Sequence, residues 1–110
     1  MRRLETRYRK SATNDLANIY FYLIGKGASE RTADSYVARI RAACRRIGEA
    51  PEGGTQRDDL LPGLRTWSFE RRILIAYLID SRGVRIVNVF GRGRDADAFY
   101  ARQRQGKDRA

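Results

Sequence analysis

The pattern of apolar and polar positions changes twice along the chain. Over residues 3–9 apolar and charged residues alternate, which predicts a half-buried strand. From Ser11, whose side chain suits a helix N-cap, apolar residues recur at helical spacing until the glycines at 25 and 27. A second apolar stripe follows Ser29 and ends before Pro51; its members are Ala33, Tyr36, Val37, Ile40, Cys44 and Ile47. The short glycine-containing link predicts an antiparallel helical hairpin.

The second half of the chain has the pattern of strands. Residues 55–63 are polar and irregular and close on the turn signal Pro62-Gly63. Three strand-like runs follow, at residues 64–70, 72–80 and 84–90. Both faces of the middle run are apolar, which predicts a central strand, and Ser81-Arg82-Gly83 predicts the hairpin turn after it. Residues 95–103 predict a short last helix that carries Phe99 and Tyr100.

These elements have the order β-αα-βββ with a short C-terminal helix. Strands joined by such short links are antiparallel, and a helical hairpin packed on one face of an antiparallel sheet buries both sets of apolar stripes. The predicted fold class is therefore α+β. No internal repeat or domain boundary divides the sequence, so we expect one domain over residues 1–103 and a polar C-terminal tail over residues 104–110.

Charge is the compositional feature that bears most on function. The chain of 110 residues has 23 Lys plus Arg against 13 Asp plus Glu, a formal net charge of +10. All of these cations except Lys10, Lys26 and Lys107 are arginines, whose planar fork grips phosphate or carboxylate in a bidentate manner. A GC-rich genome also enriches arginine, so the excess alone decides nothing. Charge of this size attracts nucleic acid, a membrane surface or an acidic protein.

The available side chains exclude several kinds of chemistry. With no histidine and one cysteine, the sequence offers neither metal-ligand spacing nor a histidine triad, so we expect no metal and no cofactor. Cys44 lies on the apolar stripe of the second helix, as a buried structural thiol does. A single cysteine fits a reducing compartment. No apolar run approaches the roughly 20 residues that span a bilayer, and no secretory signal is present, so we expect a cytoplasmic protein without a membrane partner.

Two loops carry weaker signals. Gly91-Arg92-Gly93-Arg94 resembles a phosphate-cradling loop but lacks the rest of a nucleotide-binding fingerprint. It fits a solvated strand exit as well as it fits a pair of functional cations at the edge of the sheet. Asp58 and Asp59 are adjacent in a loop, where carboxylates rarely converge on one substrate atom, so we expect both in solvent. Trp67, beside Arg65, is compatible with the core or with a partner groove.

Several short segments carry a family resemblance when taken in order. They are Ala12 with Asp15, Leu16 and Ile19; Ala33 with Ile40; Pro51 with Gly54; residues 60–65, which spell LLPGLR; residues 72–77; residues 86–90; and residues 92–95. In this order, on the β-αα-βββ pattern, they resemble the RelE/ParE superfamily of toxins from type II toxin-antitoxin systems. The resemblance extends over nearly the whole chain.

That superfamily has two functional branches: the RelE-like branch cleaves messenger RNA in the ribosome, and the ParE-like branch poisons DNA gyrase. RNA cleavage needs a group that takes the 2′-hydroxyl proton, cations for the phosphorane-like charge and a donor to the leaving oxygen. The nuclease branch carries basic residues in the loop where this chain has Asp58 and Asp59. A nuclease set would have to come from Arg65, Arg72 and Tyr100. We therefore favour the ParE-like branch, with the mRNA endonuclease as the alternative.

The ParE-like resemblance implies a protein that performs no covalent chemistry, binds gyrase and stabilises the state in which DNA is cut. It also implies a hetero-oligomer with an acidic antitoxin whose C-terminal segment folds on binding. The net charge of +10 would speed that capture. Candidates for contact with the target or the antitoxin are Arg65, Trp67, Arg92, Arg94, Phe99 and Tyr100. A nucleic-acid-binding module is the third interpretation, although no helix shows a recognition motif.

Overall fold

The computed structural model describes residues 3–91 and 94–108. The elements are β1 (Thr6–Tyr8), α1 (Lys10–Gly25), α2 (Glu30–Glu49), a short 3-10 helix (Pro51–Gly53), β2 (Thr55–Gln56), β3 (Arg65–Phe69), β4 (Ile73–Asp80), β5 (Gly83–Phe90) and α3 (Ala96–Asp108). The predicted α+β class, the β-αα-βββ order and the C-terminal helix are confirmed. None of the helices in these residues is long and apolar enough to cross a membrane.

The five strands form one sheet in the order β1-β5-β4-β3-β2. β2, β3, β4 and β5 pair antiparallel, whereas β1 lies parallel to β5, with Thr6 opposite Val84. β4 is the central strand, as its two apolar faces predicted. The short edge strand β2 falls in the segment expected to be irregular, because two residues are too few to show an alternating pattern.

The sheet is covered on both faces, and each face has its own core. The helical hairpin covers one face with α1 and α2, and this core includes Leu16, Ile40, Cys44, Ile47, Phe69, Ile75, Tyr77, Ile86 and Val89. The opposite core consists of Leu60, Leu64, Ala76, Phe90, Ala96 and Tyr100. α3 therefore packs on the face that the hairpin leaves open, and it shields Ala76 and Phe90 from water.

α3 is longer than the sequence predicted. It continues to Asp108, past the expected end at residue 103, and so takes in residues that had been assigned to a polar tail. Arg104 donates from Nη1 to the carbonyl oxygens of Asp59 and Leu60 at 3.1 and 2.8 Å. Arg104 thus holds the end of α3 against the loop before β3. The spacing of apolar residues does not predict a contact between a cation and backbone carbonyls.

The first helix begins differently from the prediction, and the reason is the open edge of β5. β1 ends at Tyr8, so the last part of β5 has no neighbouring strand on that side. Ser11 does not cap α1; its hydroxyl donates to the carbonyl oxygen of Val87 at 2.6 Å. One turn later the Asp15 carboxylate accepts from the Val89 N–H at 2.9 Å. α2 begins after Ser29, as expected, and the Ser29 hydroxyl accepts from the backbone N–H of Thr32.

Candidate functional site

A groove opens between the helical hairpin and the end of the sheet where β4 begins and β5 ends. Its volume is about 850 Å³. We call it the hairpin groove and define it by an apolar floor of Ile19, Tyr22, Leu23, Tyr36 and Ile73 and by the arginines Arg31, Arg39, Arg72 and Arg94 at its rim. An apolar hollow with a few charged groups at its edge is the usual form of a site for a partner's side chains.

The rim of the hairpin groove carries more positive than negative charge. Arg39 pairs with Glu70 at 2.9 Å, and its guanidinium lies 5.2 Å from the centroid of the Tyr36 ring. Burial, reinforced by the nearby Glu70 carboxylate, raises the pKa of Tyr36. Arg31 and Arg72 have no carboxylate within salt-bridge distance among the described residues. These two guanidiniums are thus available to an anionic partner.

A polar network links the groove to α3. Asp15, only 7% exposed, accepts at Oδ2 from the Asn88 side-chain amide at 3.0 Å and from the Val89 N–H at 2.9 Å. Its other oxygen, Oδ1, lies 3.5 Å from Nη1 of Arg94. The Tyr100 hydroxyl in turn donates to Oδ1 of Asn88 at 2.9 Å. Asn88 therefore bridges the carboxylate of α1 and the phenol of α3.

Of the described residues that were predicted to contact a partner, Arg94 lies in the groove. Its guanidinium lies 5.6 Å from the ring centroid of Phe90 and 6.0 Å from that of Phe99. Phe99 is half-buried, and its ring packs edge-on against Tyr100 at 5.2 Å. Phe99 and Tyr100 thus anchor α3 to the core, while Arg94 lies above the same aromatic cluster. Arg92 lies outside the described residues.

Arg65 and Trp67 lie away from the hairpin groove. Arg65 donates from Nη1 to the carbonyl oxygens of Glu52 and Gly54 at 3.1 and 3.2 Å, which ties β3 to the segment after α2. Trp67 is half-buried, packs against the hairpin-side core and lies against Gly53. In this structure both side chains support the fold at the β2–β3 edge of the sheet.

The three residues considered for RNA cleavage do not share a cleft. Arg65 is opposite Tyr77 and on the hairpin face, whereas Tyr100 is buried in the core on the α3 face. Arg72 is exposed at the rim of the hairpin groove. Burial raises the pKa of Tyr100 to about 12, and its hydroxyl is occupied by Asn88.

The acidic pair in the loop before β3 lies in solvent, as expected. Asp58 accepts from the backbone N–H of Gly63 at 2.8 Å and so stabilises the turn. Arg57 donates to both oxygens of Asp59 at 3.0 and 2.8 Å, and this hydrogen bonding lowers the pKa of Asp59. These carboxylates therefore have local partners within the loop.

The groove residues of α1 and α2 were not among the predicted site residues, although the sequence indicated that Tyr22 does not face the core. Tyr20, Phe21 and Tyr22 are consecutive, and three neighbours on a helix span too wide an arc to face one core. Phe21 and Tyr22 are indeed 67% and 61% exposed. Asp15 entered only through the family resemblance, since a lone carboxylate in a helix does not disclose its partners.

The fold is a five-stranded sheet covered on both faces, and the described site is an apolar groove with arginines at its rim. Residues 6–96 match the family model described as "ParE toxin of type II toxin-antitoxin system, parDE". The chain therefore belongs to the ParE toxin family, which confirms the resemblance and implies an antitoxin partner. A chain of the solved "Chromosomal ParDE TA system from P. aeruginosa" shares the fold, with a TM-score of 0.70 and 19% identity over 81% of this chain and 96% of that one. No curated protein matches the sequence.

Proposed function

We propose that this ParE-family toxin poisons DNA gyrase by binding it, and that an acidic antitoxin neutralises the toxin by occupying the hairpin groove. The observation that carries the proposal is that the Tyr100 hydroxyl is buried and hydrogen-bonded. Its side chain is 2% exposed, its hydroxyl donates to Asn88, and burial raises its pKa to about 12. A general base must reach its substrate within hydrogen-bond distance, and a phenol in this position does not.

The cations of the alternative nuclease set support the same conclusion. Arg65 donates to two backbone carbonyls on the hairpin face, so its guanidinium already has partners. Arg72 is free at the rim, but the Tyr100 hydroxyl is buried under α3, so a phosphate held by Arg72 would not reach it. Phosphoryl chemistry requires these groups to converge on one phosphate. A toxin that only binds gyrase does not require these groups to converge.

The hairpin groove has the form expected for an amphipathic segment. Ile19, Leu23 and Ile73 supply an apolar floor, and the rim arginines supply charges for carboxylates on either side of an apolar stripe. A segment that is disordered when free orders as it binds, and the charge of +10 accelerates its encounter with an acidic chain. Antitoxin binding in this groove would also cover Arg94.

The test is plasmid supercoiling by purified gyrase with the toxin titrated in. We expect supercoiling to be lost and cleaved DNA to accumulate, and we expect added antitoxin to restore supercoiling. Arg94→Ala should weaken the effect, whereas Arg82→Ala, which removes the same charge from the exposed β4–β5 turn, should not. The matched pair separates a local contact from a general effect of charge.

Normal gyrase activity in the presence of a folded toxin would overturn the proposal. The RelE-like alternative would then be tested by primer extension on messenger RNA translated with and without the toxin. Ribosome-dependent cleavage that is lost in Tyr100→Phe would establish the nuclease. We expect no such cleavage.

A further inference from the structure

A second hollow lies on the other side of Arg72 and Arg94 from the hairpin groove. It opens on the face of the sheet that α3 covers, has a volume of about 630 Å³, and is lined by Ser68, Arg71, Arg72 and Arg94 together with the ends of β4 and β5. We call it the arginine hollow. Three guanidiniums and an exposed hydroxyl make its lining more polar than that of the hairpin groove.

The backbone that carries two of these arginines is strained. Glu70 and Arg71, in the turn between β3 and β4, have φ values of 51° and 60°, in the left-handed region that glycine and asparagine normally occupy. Large non-glycine side chains persist in such conformations where the surrounding structure holds them, and this is common at functional sites. Arg71 and Arg72 are consecutive and exposed, and both line the hollow.

The charges in the hollow are largely uncompensated. Within the described part of the chain, neither Arg71 nor Arg72 has a carboxylate within salt-bridge distance. Glu70 also borders the hollow, but its carboxylate pairs with Arg39 at 2.9 Å. Arg94 approaches Asp15 only at 3.5 Å and remains accessible. The hollow is thus a concave surface of excess positive charge, which concentrates anions.

We propose that the arginine hollow binds the sugar-phosphate backbone of DNA, so that the toxin contacts the cut DNA of the gyrase complex as well as the enzyme. The second half of this statement rests on the proposed function. Arginine forks suit phosphate oxygens. Of the apolar residues that line the hollow, Ile73 and Phe90 are buried and Leu74 is half-buried, so little apolar surface is open to anchor an acidic peptide. Its aromatic neighbour Phe90 is buried, so no ring is available to stack on a base, and recognition is independent of sequence.

The experiment titrates the full-length toxin, without gyrase, into a fluorescent duplex and records anisotropy at several salt concentrations. The hollow variant is Arg71→Asn with Arg72→Gln, since asparagine tolerates the left-handed conformation and should leave the turn folded. The control variant is Arg45→Gln with Arg46→Gln, two adjacent exposed arginines of α2 outside both cavities. Each variant loses two positive charges, so their difference reports position rather than net charge.

Each phosphate contact contributes about 0.9 to the slope of log affinity against log salt. Loss of two contacts should reduce that slope by about 1.8. The factor by which affinity falls between 50 and 200 mM salt should then be about tenfold smaller than in the wild type. We expect this change in the hollow variant, no comparable change in the control variant, and equal binding to duplexes of unrelated sequence.

Equal losses in the two variants, or no binding by the wild type at low salt, would overturn the inference. So would a hollow variant that keeps the DNA affinity and the salt dependence of the wild type, because its two arginines would then contact no phosphate. The titration contains no gyrase, so it can fail while the supercoiling assay succeeds, and the reverse also holds.

Discussion

The carboxylate of Asp15 is the most informative single position to perturb. It accepts from the Asn88 amide and the Val89 N–H at 3.0 and 2.9 Å, and it faces Arg94. Asp15→Ala leaves both buried donors of β5 without a partner, because α1 takes the place of a neighbouring strand there. The change therefore tests whether α1 closes the edge of the sheet through this side chain.

The magnitude follows from the number of bonds lost. A hydrogen bond to a charged group contributes about 1.5–3 kcal/mol, and a buried donor left unsatisfied costs about 1–3 kcal/mol. Because water would hydrogen-bond to part of the two exposed donors in the variant, we expect the free energy of unfolding to fall by roughly 3–4 kcal/mol. This is a large share of the roughly 5–15 kcal/mol typical of a domain, and it corresponds to a fall in Tm of roughly 15 °C.

Equilibrium urea unfolding, followed by far-UV circular dichroism, measures the loss as a shift in midpoint at constant slope. Asp15→Asn keeps one acceptor oxygen but loses the charge, so we expect about half of the effect. Asp34→Ala removes a carboxylate from an exposed position on α2 and should stay within about 0.5 kcal/mol of the wild type. A loss below about 1 kcal/mol in Asp15→Ala would refute the reasoning, since the edge of β5 would then be satisfied without this side chain.

Three further predictions follow from individual contacts. Gly83→Ala should destabilise the protein by about 2–3 kcal/mol in the same unfolding assay, because Gly83 has a φ of 127° and an added Cβ would collide with the Glu5 carbonyl oxygen. An unchanged midpoint would contradict this. Burial raises the pKa of Tyr100 from 10.0 to about 12, so the neutral phenol contributes its full stability below pH 10, and this contribution is lost as the pH rises through about 12. The difference in phenolate absorbance between the wild type and Tyr100→Phe measures the pKa of Tyr100. Ionisation of Tyr100 near pH 10 in the folded protein would contradict this prediction. Tyr22→Ala should weaken antitoxin binding about tenfold in calorimetry at unchanged stability, whereas Phe21→Ala, adjacent but outside the groove, should not, and equal effects would exclude the groove as the docking site.

Much of the fold was predictable because the spacing of apolar residues along the chain indicates which side of a helix or strand is buried. The stripe that contains Ile40 and Ile47 identified α2, Ser29 marked its start, and the two apolar faces of residues 72–80 identified the central strand. The candidate site was less predictable. Arg94 follows β5 and lies at the groove, whereas Arg65 and Trp67 lie at the β2–β3 edge, away from it.

The sequence by itself determined the helical hairpin, the three long strands, their order and their apolar faces, because helix and strand periods are properties of neighbouring residues. Only the tertiary structure decided that α3 covers the second face of the sheet and that arginines of α2, of the turn before β4 and of the segment after β5 surround one groove. The same holds for polar partners: Ser11 meets Val87 and Asp15 meets Val89 across separations of 76 and 74 residues. No periodicity encodes such contacts, since they exist only where packing brings distant backbone groups into reach.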